Sequence, residues 1–281
     1  MKEDSPSRTA WRVAARRAAH QLLDRPLVFD DPLAVRILGE DARPRITENA
    51  DSLVGQTLRA FMAVRSRVAE DELSELVDQG VRQMVILGAG LDTFAYRNPF
   101  AGLRVFEVDH PATQAFKRHL LATAGIAIPE SLTYVPIDFE RQTLEVALAD
   151  AGVRSDAPTF FSWLGVSMYL SEATVMSVLA LVRSFPPPTA IVFDYAVNAS
   201  ELGWVERIAL NAFARRLEAI GEPWTCFFEP PKLAADLRAS GFDEVRDLGP
   251  RDLNARYFAN RDDGLRVGSL GRIMIAARRA A

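Results

Sequence analysis

The sequence predicts an α/β protein built on a doubly wound, mostly parallel sheet of seven strands. Seven short apolar runs are typical of strands that are buried on both faces. A glycine turn, Gly88 and Gly90, follows the first run, and an acid, Asp109, ends the second run 21 residues after Gly88. A strand, a glycine turn and a second strand that ends in an acid form the first half of a nucleotide-binding sheet. The runs span residues 84–87, 103–108, 132–137, 159–164, 189–195, 242–248 and 270–277.

The first 80 residues are predicted to form a helical lid, and residues 81–281 the ligand-binding domain. An amphipathic helix is expected within residues 1–25, where packing of its apolar stripe on the domain is favoured over a membrane-surface role. Asp31 is expected to cap a helix that begins at Pro32. Residues 40–50 are polar and predict a loop.

A helix over residues 58–77 carries an arginine on its apolar side. At 100° per residue Arg65 lies within the apolar stripe, whereas Arg67 lies on the opposite side. An inward arginine is costly unless it is paired. Its partner is either an acid such as Glu72, which lies on the same helix face, or the carboxylate of a bound ligand.

The glycine turn departs from the dinucleotide fingerprint. Thr93 stands where the third glycine of G-x-G-x-x-G is expected, although a pyrophosphate needs that room at a helix N-terminus. Leu91, Asp92 and Thr93 could open a helix after the turn. A ligand without phosphates, such as S-adenosylmethionine, needs only a close turn and an acid for its ribose.

Four motifs together resemble a known family. They are LGAGLDTFAYR, FEVDHP followed by FKR, VPIDFE and FFSWLGVSMYL, in this order. With them, the region from Arg8 to Tyr195 resembles the leucine carboxyl methyltransferase family of class I S-adenosylmethionine-dependent methyltransferases. Within that family it is similar to the bacterial branch related to the polyketide carboxyl methyltransferase of tetracenomycin biosynthesis.

The resemblance implies a cofactor, S-adenosyl-L-methionine, and a set of residues that hold it. Arg65 would bind the carboxylate of the methionine part, Asp109 or Glu107 the ribose, and Asp138 the adenine amino group. Asp138 could instead cap a following turn. The family has a glutamate where this chain has Leu164, and that contact is then missing or supplied elsewhere. The cofactor-binding residues expected on this basis are Arg65, Gly88, Ala89, Gly90, Asp92, Glu107, Asp109, Asp138 and Phe139.

Aromatic residues mark the expected acceptor side. The segment 221–231 contains Trp224 and is rich in aromatic residues and proline, which suits either a wall over a hydrophobic substrate or a loop packed on its own core. Tyr169 and Tyr195 are further pocket candidates. His110 and Tyr169 are the candidates for a catalytic group. No triad and no acid pair with a histidine is evident, which fits a reaction driven chiefly by positioning.

Composition restricts the class of protein. The chain has 281 residues and a formal charge of −4, which argues against nucleic acid as an obligate partner. Its single cysteine, Cys226, excludes an internal disulfide, and its three histidines show no metal-ligand spacing. No apolar run reaches the length of a membrane span and no signal peptide is evident, so a cytoplasmic location is expected. No pattern indicates an oligomeric state.

The expected activity is methyl transfer from S-adenosylmethionine to a carboxylate or hydroxyl oxygen of a small hydrophobic metabolite, such as a polyketide-type natural product. Two alternatives remain at this point. A non-catalytic nucleoside-binding module is compatible with the substitution at Leu164. A nicotinamide-dependent oxidoreductase would require the third glycine, which the turn lacks.

Overall fold

The computed structural model describes residues 8–48, 50, 52–138, 142–218, 221 and 223–279. Its centre is one seven-stranded sheet with the order β3-β2-β1-β4-β5-β7-β6. Strand β7 runs antiparallel to the other six strands, which all run in the same direction. All seven predicted strands are therefore confirmed. The strands are β1 (Gln83–Leu87), β2 (Arg104–Asp109), β3 (Leu132–Pro136), β4 (Thr159–Trp163), β5 (Thr189–Ala196), β6 (Glu244–Leu248) and β7 (Gly271–Arg278).

Helices cover both faces of the sheet, as the doubly wound class requires. Along β1, Val85 and Leu87 pack in one apolar core with α5, α6 and α8, whereas Met84 and Ile86 pack in a second core with α3 and α9. Burial on both faces explains why the strands are unbroken apolar runs. The helices are α1 (Arg8–Leu23), α2 (Arg43–Thr47), α3 (Leu53–Asp78), α4 (Pro111–Thr123), α5 (Leu144–Asp150), α6 (Glu172–Ser184), α7 (Trp204–Glu218), α8 (Pro230–Ser240) and α9 (Pro250–Tyr257).

The strand order creates a crevice between β1 and β4. The chain runs outward from β1 to β3 and then returns to place β4 on the other side of β1. Ligands of such sheets bind beside the carboxyl ends of the strands where the order reverses. A ligand-binding site is therefore expected at the loops after β1 and β4.

A third apolar cluster attaches the N-terminal segment to this edge of the sheet. Four small residues of α1 pack with Leu91 of the glycine turn and Leu121 of α4. These four residues are Ala14, Ala15, Ala18 and Ala19. The prediction that α1 packs its apolar stripe on the domain is therefore confirmed. Among the described residues, no helix is long and apolar enough to cross a membrane.

Three local predictions are wrong. Residues 40–50 are not a plain loop, because helix α2 begins at Arg43. Pro44 lies in the first turn of α2, where backbone N–H groups have no partner within the helix, so the N–H that proline lacks is not needed. No helix begins at Pro32; the Oδ1 of Asp31 accepts from the N–H of Leu33, which closes a local turn instead. Asp92 likewise accepts from the N–H of Phe94, so a short 3-10 turn replaces a helix between β1 and β2.

The division at residue 80 separates residues that share a core. Val68, Leu73 and Leu76 of α3 pack with Ile86 of β1 and with β4 and β5, so α3 is part of the sheet layer. The division itself stays a prediction.

The last two strands pair at the sheet edge. β6 and β7 are antiparallel, and β6 is the edge strand. The connection between them contains α9, which the sequence reasoning missed. Its N-terminal Pro250 after Gly249 was the available signal.

Candidate cofactor and acceptor site

The glycine turn is bonded to β2 and lies against the loop after β4. The N–H groups of Gly88 and Ala89 donate to the carbonyl of Val108 on β2, at 2.8 and 3.1 Å. Gly88 has a φ of +67°, and a methyl group in its place would overlap with the side chain of Val166 in the loop after β4. Only glycine combines this backbone conformation with this close approach. The loops after β1 and β4 therefore touch at the crevice.

Asp109 lies directly beside the turn. Its Oδ2 accepts from the N–H of Gly90 at 2.5 Å, and its Oδ1 accepts from the N–H of His110 at 2.7 Å. Burial raises the pKa of Asp109, although both N–H groups favour the ionised form. The predicted acid and the predicted turn thus meet at the carboxyl end of β2.

Glu107 lies deeper than Asp109. It is fully buried, and its Oε2 accepts from Nζ of Lys117 at 2.7 Å. Burial raises its pKa to about 7, although Lys117 opposes that shift. Among the described residues its Oε1 has no hydrogen-bond partner. Of the two ribose candidates, Asp109 is therefore the one at the open edge of the sheet.

Asp92 is surrounded by positive charge. Burial alone would raise its pKa, but Arg17, Lys117 and Arg97 together with the N–H of Phe94 lower it. The side chain is thus kept ionised next to the turn. Its local role is to close the turn through Phe94, at 2.7 Å.

Arg65 reaches the crevice from α3. It is 5% exposed, and its Nη1 donates to Oδ2 of Asp194 on β5 at 2.7 Å. The inward orientation is confirmed. Of the two kinds of partner considered, an acid is present, but it is Asp194 and not Glu72, which pairs with Arg246 and Arg279. Arg67 is exposed and pairs with Asp71.

Asp194 joins Arg65 to the loop after β4. Its second oxygen, Oδ1, accepts from the N–H of Gly165 at 2.5 Å. A methyl group on Gly165 would lie 3.1 Å from both Nη atoms of Arg65, so the guanidinium packs directly against this glycine, which has a φ of +77°. Within the described part of the chain only Nη1 of Arg65 has a hydrogen-bond partner. Sequence reasoning missed Asp194, although an acid near a strand end was the available signal.

The remaining adenine-side candidates are placed only in part. Asp138 is half-buried just beyond β3, and its carbonyl accepts from the N–H of Gln142 at 3.0 Å. That contact involves the backbone alone, so both interpretations of the Asp138 side chain stay predictions. Phe139 lies outside the described residues. Leu164 is half-buried and packs on the α3 side of the sheet core.

The aromatic segment lies along the loop after β4. The N–H of Thr225 donates to the carbonyl of Met168 at 2.8 Å, and its hydroxyl donates to the carbonyl of Leu170 at 3.2 Å. Trp224 packs edge-on against Phe227. A cavity of about 410 Å³ opens beside this segment. It is lined by Asn211, Ala214, Arg215, Glu218, Pro223 and Trp224.

The two tyrosine candidates differ in position. Tyr195 is fully buried among Phe193 and Phe228, and its hydroxyl donates to Asp247 at 2.9 Å. The structure places it in the core rather than on the wall of the cavity. Tyr169 is half-buried in a short turn, Ser167–Tyr169, which directly follows the part of the loop that touches Gly88.

His110 is engaged as a helix cap. Its Nδ1 accepts from the N–H of Ala112 at 3.2 Å, at the start of α4. A neutral imidazole with Nδ1 as acceptor carries its proton on Nε2. Proton removal by His110 would therefore require loss of this cap.

A seven-stranded doubly wound sheet with a glycine turn and a strand-end acid at its switch point belongs to the class of α/β proteins that bind ligands at that point. The sequence profile of the leucine carboxyl methyltransferase family matches residues 10–183. The chain belongs to that family. It is an S-adenosyl-L-methionine-dependent methyltransferase.

Individual relatives agree. The chain is 33% identical to YktD of Bacillus subtilis (strain 168), provisionally named an S-adenosyl-L-methionine-dependent methyltransferase, over 94% of this chain and 95% of that protein. The chain is also 38% identical to a similarly named Parafrankia protein. The aligned region covers 69% of this chain and 64% of that protein. A Thermobifida fusca structure described as a methyltransferase superposes with a TM-score of 0.58 at 20% identity, covering 87% of this chain and 92% of that chain. At that identity the superposition shows the fold alone.

Proposed function

We propose that this enzyme transfers a methyl group from S-adenosyl-L-methionine to a carboxylate oxygen of a small hydrophobic acid. The observation that supports a carboxylate is the engagement of His110 as a helix cap. A carboxylate has an unperturbed pKa of about 4 and is ionised at neutral pH, whereas a phenol has one of about 10 and needs a base. The acceptor that requires no base fits this site best.

The residues at the crevice fit the cofactor's chemistry. Its ribose offers two hydroxyl donors, for which the carboxylate of Asp109 beside the glycine turn is a suitable acceptor. Its methionine part ends in a carboxylate, for which the open edge of the Arg65 guanidinium is a suitable donor. Asp194 holds that guanidinium in place through Nη1. The bound cofactor supplies an activated methyl group, so the remaining task of the protein is alignment.

The acceptor is proposed to enter beside Trp224. The cavity there combines one aromatic face with the exposed Arg215 and Glu218. The N–H of Thr225, next to Trp224, donates a hydrogen bond to the carbonyl of Met168. Met168 is three residues from Gly165 along the chain. Three residues span at most about 11 Å. The cavity wall therefore begins close to the Arg65 end of the proposed cofactor site.

The pH dependence of turnover tests the carboxylate proposal. A panel of small hydrophobic acids and matching phenols would be assayed with radiolabelled S-adenosyl-L-methionine. For an accepted acid, kcat should be nearly flat between about pH 6 and 9, because no group has to lose a proton. His110→Asn should preserve it, since asparagine still caps α4 but is no base.

Two results would contradict the proposal. One is a kcat that climbs about tenfold per pH unit. The other is loss of turnover in His110→Asn while the exposed control His119→Asn stays active. Either would favour a hydroxyl acceptor with His110 as its base.

A further inference from the structure

A buried acid of the N-terminal segment contacts the glycine turn from the side opposite β2. Asp31 is fully buried, and its Oδ2 accepts both from the hydroxyl of Thr93 at 2.7 Å and from Nε of Arg17 at 2.8 Å. The same arginine donates through Nη2 to the carbonyl of Leu91 at 2.6 Å. Leu91 and Thr93 flank Asp92 in the turn.

The turn is therefore fastened on two sides. On the sheet side, Gly88 and Ala89 are bonded to Val108, and Gly90 to Asp109. On the other side, Asp31 accepts from the hydroxyl of Thr93, and Arg17 donates to the carbonyl of Leu91. Asp31 forms a second ion pair with Arg97, whose Nε lies 3.4 Å from Oδ1 of Asp31.

Helix α1 completes this arrangement. A methyl group on Gly90 would lie 3.4 Å from Cβ of Ala10, so the first turn of α1 lies over the glycine turn. Arg17, two turns further along α1, is 5% exposed. An ion pair buried to this degree has a large cost of desolvation and is weak evidence for a purely stabilising role.

We propose that Asp31, acting through Arg17 and Thr93, is a positioning residue for cofactor binding. It holds the outer side of the glycine turn so that the backbone of the turn and Asp109 on the inner side present a preformed surface to the cofactor. The inference rests on the proposed placement of the cofactor at this turn. Preorganisation of this kind raises affinity by removing the cost of ordering the turn during binding.

The test is the affinity for S-adenosylhomocysteine, measured by calorimetry on the full chain at a temperature where circular dichroism shows each variant folded. Thr93→Val removes the hydroxyl, which donates to Asp31 and accepts from Nε of Arg97 at 3.3 Å, and we expect the Kd to rise about tenfold. Thr93→Ser keeps a hydroxyl and should restore most of the affinity. Asp31→Asn should weaken binding at least as much as Thr93→Val, whereas Asp30→Asn, at the exposed neighbouring position, should match the wild type.

A merely structural role would give another pattern. Variants of Thr93 and Asp31 that melt at lower temperature but bind within twofold of the wild type would overturn the inference. If Asp31→Asn does not fold, the Thr93→Val and Thr93→Ser pair decides. Asp109→Asn separates the two proposals: weaker binding there, with no effect of Thr93→Val, overturns only the role of Asp31, whereas unchanged binding in Asp109→Asn overturns the placement of the cofactor itself.

Discussion

The glycine turn and the aromatic segment lie at the same edge of the sheet but are built differently. The turn is surrounded by buried polar groups: Glu107, Lys117 and Asp31 are each at most 1% exposed. The cavity beside Trp224 is lined by exposed side chains of α7, while the segment itself is held to Met168 by backbone N–H groups. The difference indicates that the residues of the proposed cofactor site are tied to the stability of the fold, whereas those of the proposed acceptor site can change without disturbing it.

The largest expected effect comes from the buried pair beneath the turn. Lys117→Met should lower the free energy of unfolding by about 3–5 kcal/mol in urea, because it leaves the Glu107 carboxylate buried and unpaired. The double variant Glu107→Leu/Lys117→Met should recover most of this loss. Arg118→Met, at the exposed next position, is the control and should change stability by less than about 1 kcal/mol. Equal losses in the single and double variants would contradict this explanation.

The next effect concerns the arginine at the crevice. Arg65→Ala should weaken S-adenosylhomocysteine binding by about 2–5 kcal/mol, because the ligand carboxylate loses a charged partner. Arg67→Ala, on the exposed side of the same helix, should leave the Kd unchanged. Arg65→Lys should lie between them, since an ammonium keeps the charge but not the planar fork. Calorimetry on folded variants that gives the same Kd for the two alanine variants would remove Arg65 from the cofactor site.

A smaller effect is expected on the acceptor side. Trp224→Ala should raise the KM of an accepted acid about tenfold through lost apolar contact and leave the Kd of S-adenosylhomocysteine unchanged. Trp204→Ala is the matched control, because Trp204 is 70% exposed at the start of α7, away from the cavity lining. If Trp224→Ala weakens cofactor binding as strongly as acceptor binding, the two halves of the site are not separable as described.

The last expected effect is a dependence of stability on pH. In the folded protein burial raises the pKa of Glu107 to about 7, from an ordinary value of 4.5. Between these values the folded state holds a proton that the unfolded state has released, so the free energy of unfolding falls as the pH rises from 4.5 to 7. The wild type should therefore lose stability relative to Glu107→Leu/Lys117→Met over this range in urea melts. A wild type that gains stability relative to the double variant would contradict the sign.

Most of the fold and part of the site could be predicted from the sequence. Strands buried on both faces leave apolar runs, and helical periodicity placed Arg65 inward. The partner of Arg65 could not be found this way, because Asp194 is 129 residues away and meets it only across the crevice. The choice between Asp109 and Glu107 depended on depth in the sheet, which spacing does not encode. The role of Asp31 was hidden for the same reason, since Thr93 and Arg17 approach it from separate elements.

Hydrogen exchange with and without S-adenosylhomocysteine tests most directly whether the cofactor binds at the glycine turn. We expect added protection in residues 88–97, which contain the glycine turn, and in α1, which lies over that turn. Residues 223–229 should exchange at the same rate in both states, because they belong to the acceptor side. Protection that is confined to residues 223–229, with residues 88–97 unchanged, would contradict it.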